Sequence, residues 1–236
     1  MKPIYLFADS QLLFWKPSGK AFLGRLRDDV EVGSPKAAYI GASNGDQPEF
    51  FSIFEAAMDA IGIRETCMVH SEPSEEEMAF LDAAELILLA GGDPLRGWEV
   101  VEGNGVRDTV ARRYYEGALL CGVSAGAVQL GWGIPNDGEG GATRLVGTFR
   151  LVPCIIGAHE ERSGWKALEG AARAATPGVK AIGIPFGGGL VFHSEDNSIE
   201  PIRRPLHELT VSDEGLEERI LFPVEEAIDP VAVAGE

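Results

Sequence analysis

Positive charge is scarce in this sequence: across 236 residues, 20 lysines and arginines face 37 aspartates and glutamates, a net charge of −17. Such a chain repels a phosphate backbone and carries no basic stripe to offset the repulsion, so nucleic acid is not an expected partner. Long apolar runs are missing as well. None approaches the roughly 20 residues of a membrane span, and in "MKPIYLFADS" charged and polar residues lie too close to the apolar stretch for a signal-peptide core. The cytoplasm is therefore the expected setting, with no membrane partner. Cysteine is limited to Cys67, Cys121 and Cys154, an odd set without a CxxC pair, which reads as reduced core thiols rather than a disulfide framework or zinc site. The four histidines, His70, His159, His193 and His207, are equally scattered, so no structural metal is expected. Neither an internal repeat nor a linker divides the chain, and its length suits one α/β domain over residues 1–236.

What the sequence does hold is an alternation of short apolar runs with helical patterns. The runs "PIYLFA", "KAAYIGA", "CMVH", "LILLAGG" and "ALLCGVS" read as strands, the last two fully buried, and the segments between them read as helices. This alternation predicts a parallel sheet covered on both faces. Phe50, Ile53, Phe54, Ala57, Met58 and Ile61 share one helical face, which reads as scaffold. Ser74 with Glu77 forms a capping-box signature ahead of "MAFLDAA". Further helices are expected over Val106 to Tyr115 and Glu161 to Ala175, the latter ended by "TPG". Beyond it "KAIGIPF", "GLVFHS" and "SIEPI" suggest a strand meander finishing the sheet, followed by an irregular tail from about residue 224.

Chemistry concentrates at "CGVSAGAVQLG". Gly122-x-Ser124-x-Gly126 follows a buried strand and precedes a run that can open a helix, the context of a nucleophile elbow. Glycines flanking the serine let the backbone turn tightly and lift the hydroxyl clear. The Ala125 amide then sits at a helix start, where partial positive charge favours a developing oxyanion. The competing reading, chance occurrence in a chain with 30 glycines, is answered only by this placement.

Three further elements supply partners. "LLAGGDP" ends a buried strand at the carboxyl side, where open α/β sheets bind ligands, so Gly91 and Gly92 can bring a backbone amide to substrate. Asp93 fits that site or the cap of the helix that Pro94 opens. A serine needs a base, and His159 is favoured among the four histidines because it follows the apolar run "LVPCIIGA" and precedes a helix, which places it in a loop at a sheet edge. Asp137, Glu139 and Glu160 are all available as the carboxylate that orients the ring.

Taken together these residues resemble the serine peptidase family that includes dipeptidase E (aspartyl dipeptidase) and cyanophycinase, whose fold is like that of class I glutamine amidotransferases. The likeness runs from about Ile4 to Val191 and is carried by "LAGGDP", "GVSAGA", "PND" and "LVPCIIGAH". It implies an α/β fold of three layers, a doubly wound, mostly parallel sheet with the C-terminal β meander appended. It also implies Ser124 as nucleophile, His159 as base, Asp137 of the Asn136-Asp137 pair as third member, and oxyanion amides from Gly92 and Ala125. No cofactor or metal is called for. The expected partner is a small peptide substrate, and the assembly compatible with such an enzyme is a homodimer.

The chain departs from the family's pattern beside these residues. Glu160 follows the histidine where members usually carry Phe, removing an aromatic wall. Pro94 stands where relatives have a polar residue, and no arginine precedes the Asn-Asp pair in "GIPND". Arg162 or Arg144 can replace that cation toward a substrate carboxylate. The resulting expectation is a serine peptidase acting on small peptides through an acyl-enzyme. Two alternatives stand beside it, a non-catalytic binding module that kept the pocket and an esterase. The esterase ranks last because His159 follows Ser124 by only 35 positions. Glutamine amidotransfer is disfavoured because the elbow holds serine rather than cysteine and Cys121 lies on the buried strand.

Overall fold

The structure, a computed structural model, describes residues 1–137, 143–176, 178–212 and 215–224. The five apolar runs expected as strands are β1 (Ile4–Phe7), β2 (Lys36–Ile40), β3 (Glu65–Val69), β4 (Leu86–Leu89) and β5 (Leu119–Val123). All pair in parallel, in the order β1, β5, β4, β2, β3. Every residue of β4 and β5 is buried, as strands covered on both faces must be. Each large aliphatic side chain in them contributes about 1.5–3 kcal/mol by leaving water.

One face of this sheet is covered by α1 (Gly24–Val30) and α2 (Pro48–Asp59), whose Leu26, Val30, Phe54 and Met58 join Tyr5, Tyr39 and Leu88 in one core. The other face is covered by α3 (Glu75–Ala83), α4 (Pro94–Gly103), α5 (Val106–Tyr115) and α6 (Ala125–Leu130). This is the three-layer, doubly wound arrangement expected from the sequence. Ser74 and Glu77 form the anticipated capping box at α3, each side chain bonding the other's backbone amide. No helix among the described residues is long and apolar enough to cross a membrane.

The rest of the chain departs from a simple meander. A hairpin, β6 (Gly133–Asp137) with β7 (Thr143–Gly147), stands apart from both larger sheets. Then β8 (Cys154–Ala158) and β9 (Lys180–Ile184) pair in parallel around α7 (Lys166–Ala174). Four further strands, the last two not expected from the sequence, divide between two sheets. β10 (Gly189–His193) and β11 (Ser198–Ile202) return antiparallel to the edge of β1 and complete a seven-stranded sheet. β12 (Leu206–Ser212) and β13 (Gly215–Leu221) instead extend β9, giving the four-stranded sheet β13-β12-β9-β8. Local alternation identifies a strand but not its neighbour, which depends on contacts far along the chain. The helix expected over 161–175 is shorter, because Glu161–Ser163 forms a separate 3₁₀ turn and Gly164 and Trp165 both take positive φ before α7 starts. The tail expected to be irregular falls outside the described residues from 225 onward.

Candidate active site

Parallel strands deliver their carboxyl ends to one edge, and the site is built there. Ser124 follows β5 directly and its amide donates to Phe7 O at 2.8 Å, so the turn is pinned to β1. Its backbone sits at φ +50°, ψ −109°, a conformation that non-glycine residues hold only when their surroundings impose it. The neighbours do impose it. A Cβ on Gly122 would lie 2.6 Å from the Ala127 amide, and one on Gly126 would overlap Leu89 O, so both positions need glycine. Ala125 opens α6, and its amide donates to no group among the described residues.

Gly92 also has positive φ, +135°, and a Cβ there would run into Ser43 O. Its loop is held from beneath. Asp93 N donates to Ser43 O at 2.8 Å, and buried Gln129 donates from Nε2 to Ser43 Oγ at 3.0 Å and to Pro94 O at 2.9 Å. Gln129 lies on α6, so one amide side chain ties the Gly92 loop to the helix that Ala125 starts. The Gly92 N–H, like that of Ala125, has no acceptor among the described residues.

His159 leaves β8 with φ +49°, its amide bonded to Ile184 O at 2.8 Å. Its Nε2 lies 2.8 Å from Ser124 Oγ. The other three histidines each meet a glutamate: His70 with Glu77 at 2.6 Å, His193 with Glu200 at 3.1 Å, and His207 with Glu218 at 2.8 Å. Only His159 reaches the serine. Burial pushes the Cys121 thiol well above its ordinary range and Cys154 up to about 11, so neither offers a thiolate.

Ser124 and His159 open into a cavity of about 490 Å³, the size of a small-ligand pocket. Gly91, Gly92, Glu161 and Arg162 also line it. Asp93 and Glu160 do not. Asp93 Oδ1 accepts the amides of Leu95 and Arg96 and caps α4, the second of its two expected readings. Glu160 accepts the Leu168 amide at 3.3 Å and so serves the start of α7. Arg144 is exposed on the hairpin opposite Asn136. Asp137 closes β6, but its side chain and the whole of Glu139 lie outside the described residues.

Partial burial raises the Glu160 carboxyl above its ordinary range, against the opposing pull of the Leu168 amide and of His159. The native state then holds this proton more tightly than the unfolded chain does. The carboxyl's contribution to stability falls as pH rises from the ordinary carboxylate range through the raised native value. Glu160→Gln should remove that contribution, and the difference between its urea midpoints and those of the unaltered protein across the acid range checks it. A variant that tracks the unaltered protein at every pH would show that Glu160 makes no such contribution.

Sequence reasoning missed part of this cavity. Phe50 and Ile53 read as the scaffold face of a helix, yet both line the cavity and are 47% and 37% exposed. Phe186, in the turn after β9, lines it as well. The signal available was the width of the apolar stripe on α2, which exceeds what the sheet can cover.

The model of peptidase family S51 matches residues 16–173. The chain belongs to that family. It is accordingly a serine peptidase, and the binding-only and esterase readings have no support from family membership. Among solved structures, a peptidase from an acI-B1 Actinobacterium shares the fold with a TM-score of 0.73 at 18% identity, covering 95% of this chain and 96% of its own. A candidate peptidase E from Listeria monocytogenes EGD-e superposes with a TM-score of 0.61 at 16% identity, covering 86% of this chain and 99% of its own. No curated protein matches the sequence.

Proposed function

We propose that this S51 peptidase hydrolyses small peptides through an acyl-enzyme on Ser124. The observation that carries the reading is the 2.8 Å contact from Ser124 Oγ to His159 Nε2 at a positive-φ elbow. Ser124 Oγ attacks the peptide carbonyl carbon as His159 takes its proton. The free amides of Gly92 and Ala125 stabilise the oxyanion. The C–N bond then breaks and His159 returns the proton to the departing amine. Water attacks the resulting ester and gives one proton to His159, and the protonated imidazole restores the serine as the acid leaves.

Asp137 is the favoured acceptor for Nδ1–H, the other ring nitrogen of His159. Its support is the Asn136-Asp137 pair of the family resemblance, together with the engagement of Glu160 at α7. Arg162, which lines the cavity and makes no ion pair among the described residues, suits a substrate carboxylate. The three free thiols suit the reducing cytoplasm.

A fluorophosphonate probe tests the dyad without knowledge of the substrate. It should label Ser124, and His159→Ala should slow labelling by about 10²-fold or more, the contribution expected of a general base. His193→Ala, bonded to Glu200 far from the serine in the fold, should label like the unaltered protein. Equal loss in both folded variants would overturn the assignment of the base.

A further inference from the structure

The cavity beside Ser124 combines the catalytic groups and a few charged side chains with a large apolar wall. His159, Gly91 and Gly92 line it with the serine, and Leu13, Tyr39, Phe50, Ile53, Phe54, Leu88 and Phe186 supply its large apolar side chains. Leu13, Tyr39, Phe54 and Leu88 are buried and form a fixed floor. Tyr39 and Phe54 pack with ring centroids 5.3 Å apart, and the Tyr39 hydroxyl is held by an Asn44 Nδ2 donor at 2.7 Å. Above them Phe50, Ile53 and Phe186 stay 47%, 37% and 57% exposed. Large apolar side chains left exposed together around one cavity cost the fold unless something covers them, so their joint exposure beside the catalytic serine marks surface that a ligand covers.

The charged lining does not compete for that role. Asp9 Oδ2 accepts the Gly187 amide at 2.6 Å and its Oδ1 the Gln11 amide at 2.8 Å, while Glu161 Oε1 accepts the Phe186 amide at 3.3 Å. Both carboxylates therefore shape the turn that carries Phe186. Arg162 is the one lining cation, and being exposed it suits the terminal carboxylate that any peptide carries rather than selecting an acidic side chain.

We infer that the enzyme selects peptides with a bulky apolar residue, Leu, Ile or Phe, beside the scissile bond, the side chain filling the pocket between α2 and the turn after β9. The aromatic wall that Glu160 fails to provide next to the histidine is supplied from α2 and Phe186 instead. This inference rests on the peptidase reading of the same site.

The test has a catalytic arm and a binding arm. In a dipeptide and tripeptide library, kcat/KM for Leu, Ile and Phe peptides should exceed that for aspartyl peptides by about tenfold or more, the scale of discrimination by an apolar pocket. Ile53→Asp and Phe186→Asp, on separate elements and both at exposed positions, should each lower the Phe-to-Ala preference severalfold. Calorimetry with the Ser124→Ala protein should show tighter binding of Phe than of Asp peptides. Aspartyl selectivity, or a Phe-to-Ala ratio that neither variant changes, overturns the inference and leaves the peptidase reading intact. Selective binding of apolar peptides with no hydrolysis of any peptide supports the pocket's preference and overturns the catalytic reading.

Discussion

Ser124→Ala is expected to reduce kcat for every cleaved peptide by about 10⁶-fold, the loss seen when a triad nucleophile is removed. The loss should appear in kcat, because the hydroxyl acts on the transition state while the cavity that binds substrate is untouched. The fold should survive. Alanine is the smallest side chain that keeps a Cβ, and the site already accommodates a Cβ at φ +50°. Among the described residues the serine hydroxyl bonds only to His159, so nothing else in the elbow depends on it. Intact mass after rapid quench gives a second measure: the unaltered enzyme should show an adduct of the acyl fragment's mass, and the variant none. Turnover that persists in Ser124→Ala, with the melting temperature unchanged, would mean that another group is the nucleophile.

The second large effect is expected at a residue without a side chain. Gly92→Ala should lower kcat by about 10² to 10³, the usual cost of losing one oxyanion donor. It should also destabilise the protein by about 1–3 kcal/mol from the unfavourable φ, with the overlap against Ser43 O adding to that. The two effects share a cause. The Ser43 carbonyl that a Cβ would strike is the one that receives the Asp93 amide, so relief of the overlap moves the Gly92 N–H away from the Ala125 N–H. Gly91→Ala should cost less on both counts, since a Cβ there would meet Ser124 Cβ at an ordinary 3.4 Å. Urea denaturation and steady-state kinetics on the pair separate strain from catalysis. A Gly92→Ala enzyme with normal kcat would remove this amide from the oxyanion hole.

These effects arise where the sequence was most legible. The runs ending in "LLAGG" and "LLCGVS" declare both a buried strand and an unusual exit from it, because apolar continuity and glycine placement are local properties. His159 was legible for a weaker reason, its position after an apolar run, and the decisive fact, proximity to Ser124, depends on two strands meeting in space. The same limit explains the division of the C-terminal strands. "GLVFHS" and "RRPLHEL" both contain strands, yet one joins β1 and the other β9, and neither partner is written near either segment. The α2 part of the cavity wall is hidden in sequence because a helical stripe shows which residues are apolar and not which of them the sheet leaves uncovered. At Glu160 the sequence registered the exchange of an aromatic for an acid. It could not register that the carboxylate serves the amide of Leu168, eight residues on, across a turn with two positive-φ positions.

The nucleophile and its base stand on different sheets. Ser124 ends a strand of the seven-stranded sheet and His159 ends one of the four-stranded sheet, so the hydrogen bond between them is a caliper set across the seam. The two ladders share buried core but no hydrogen-bonded strand, and a misplacement of about 1 Å across the seam can cost on the order of 10² in rate. Enzyme activity in this protein therefore gauges the alignment of two sheets, a quantity that neither sheet's own stability fixes.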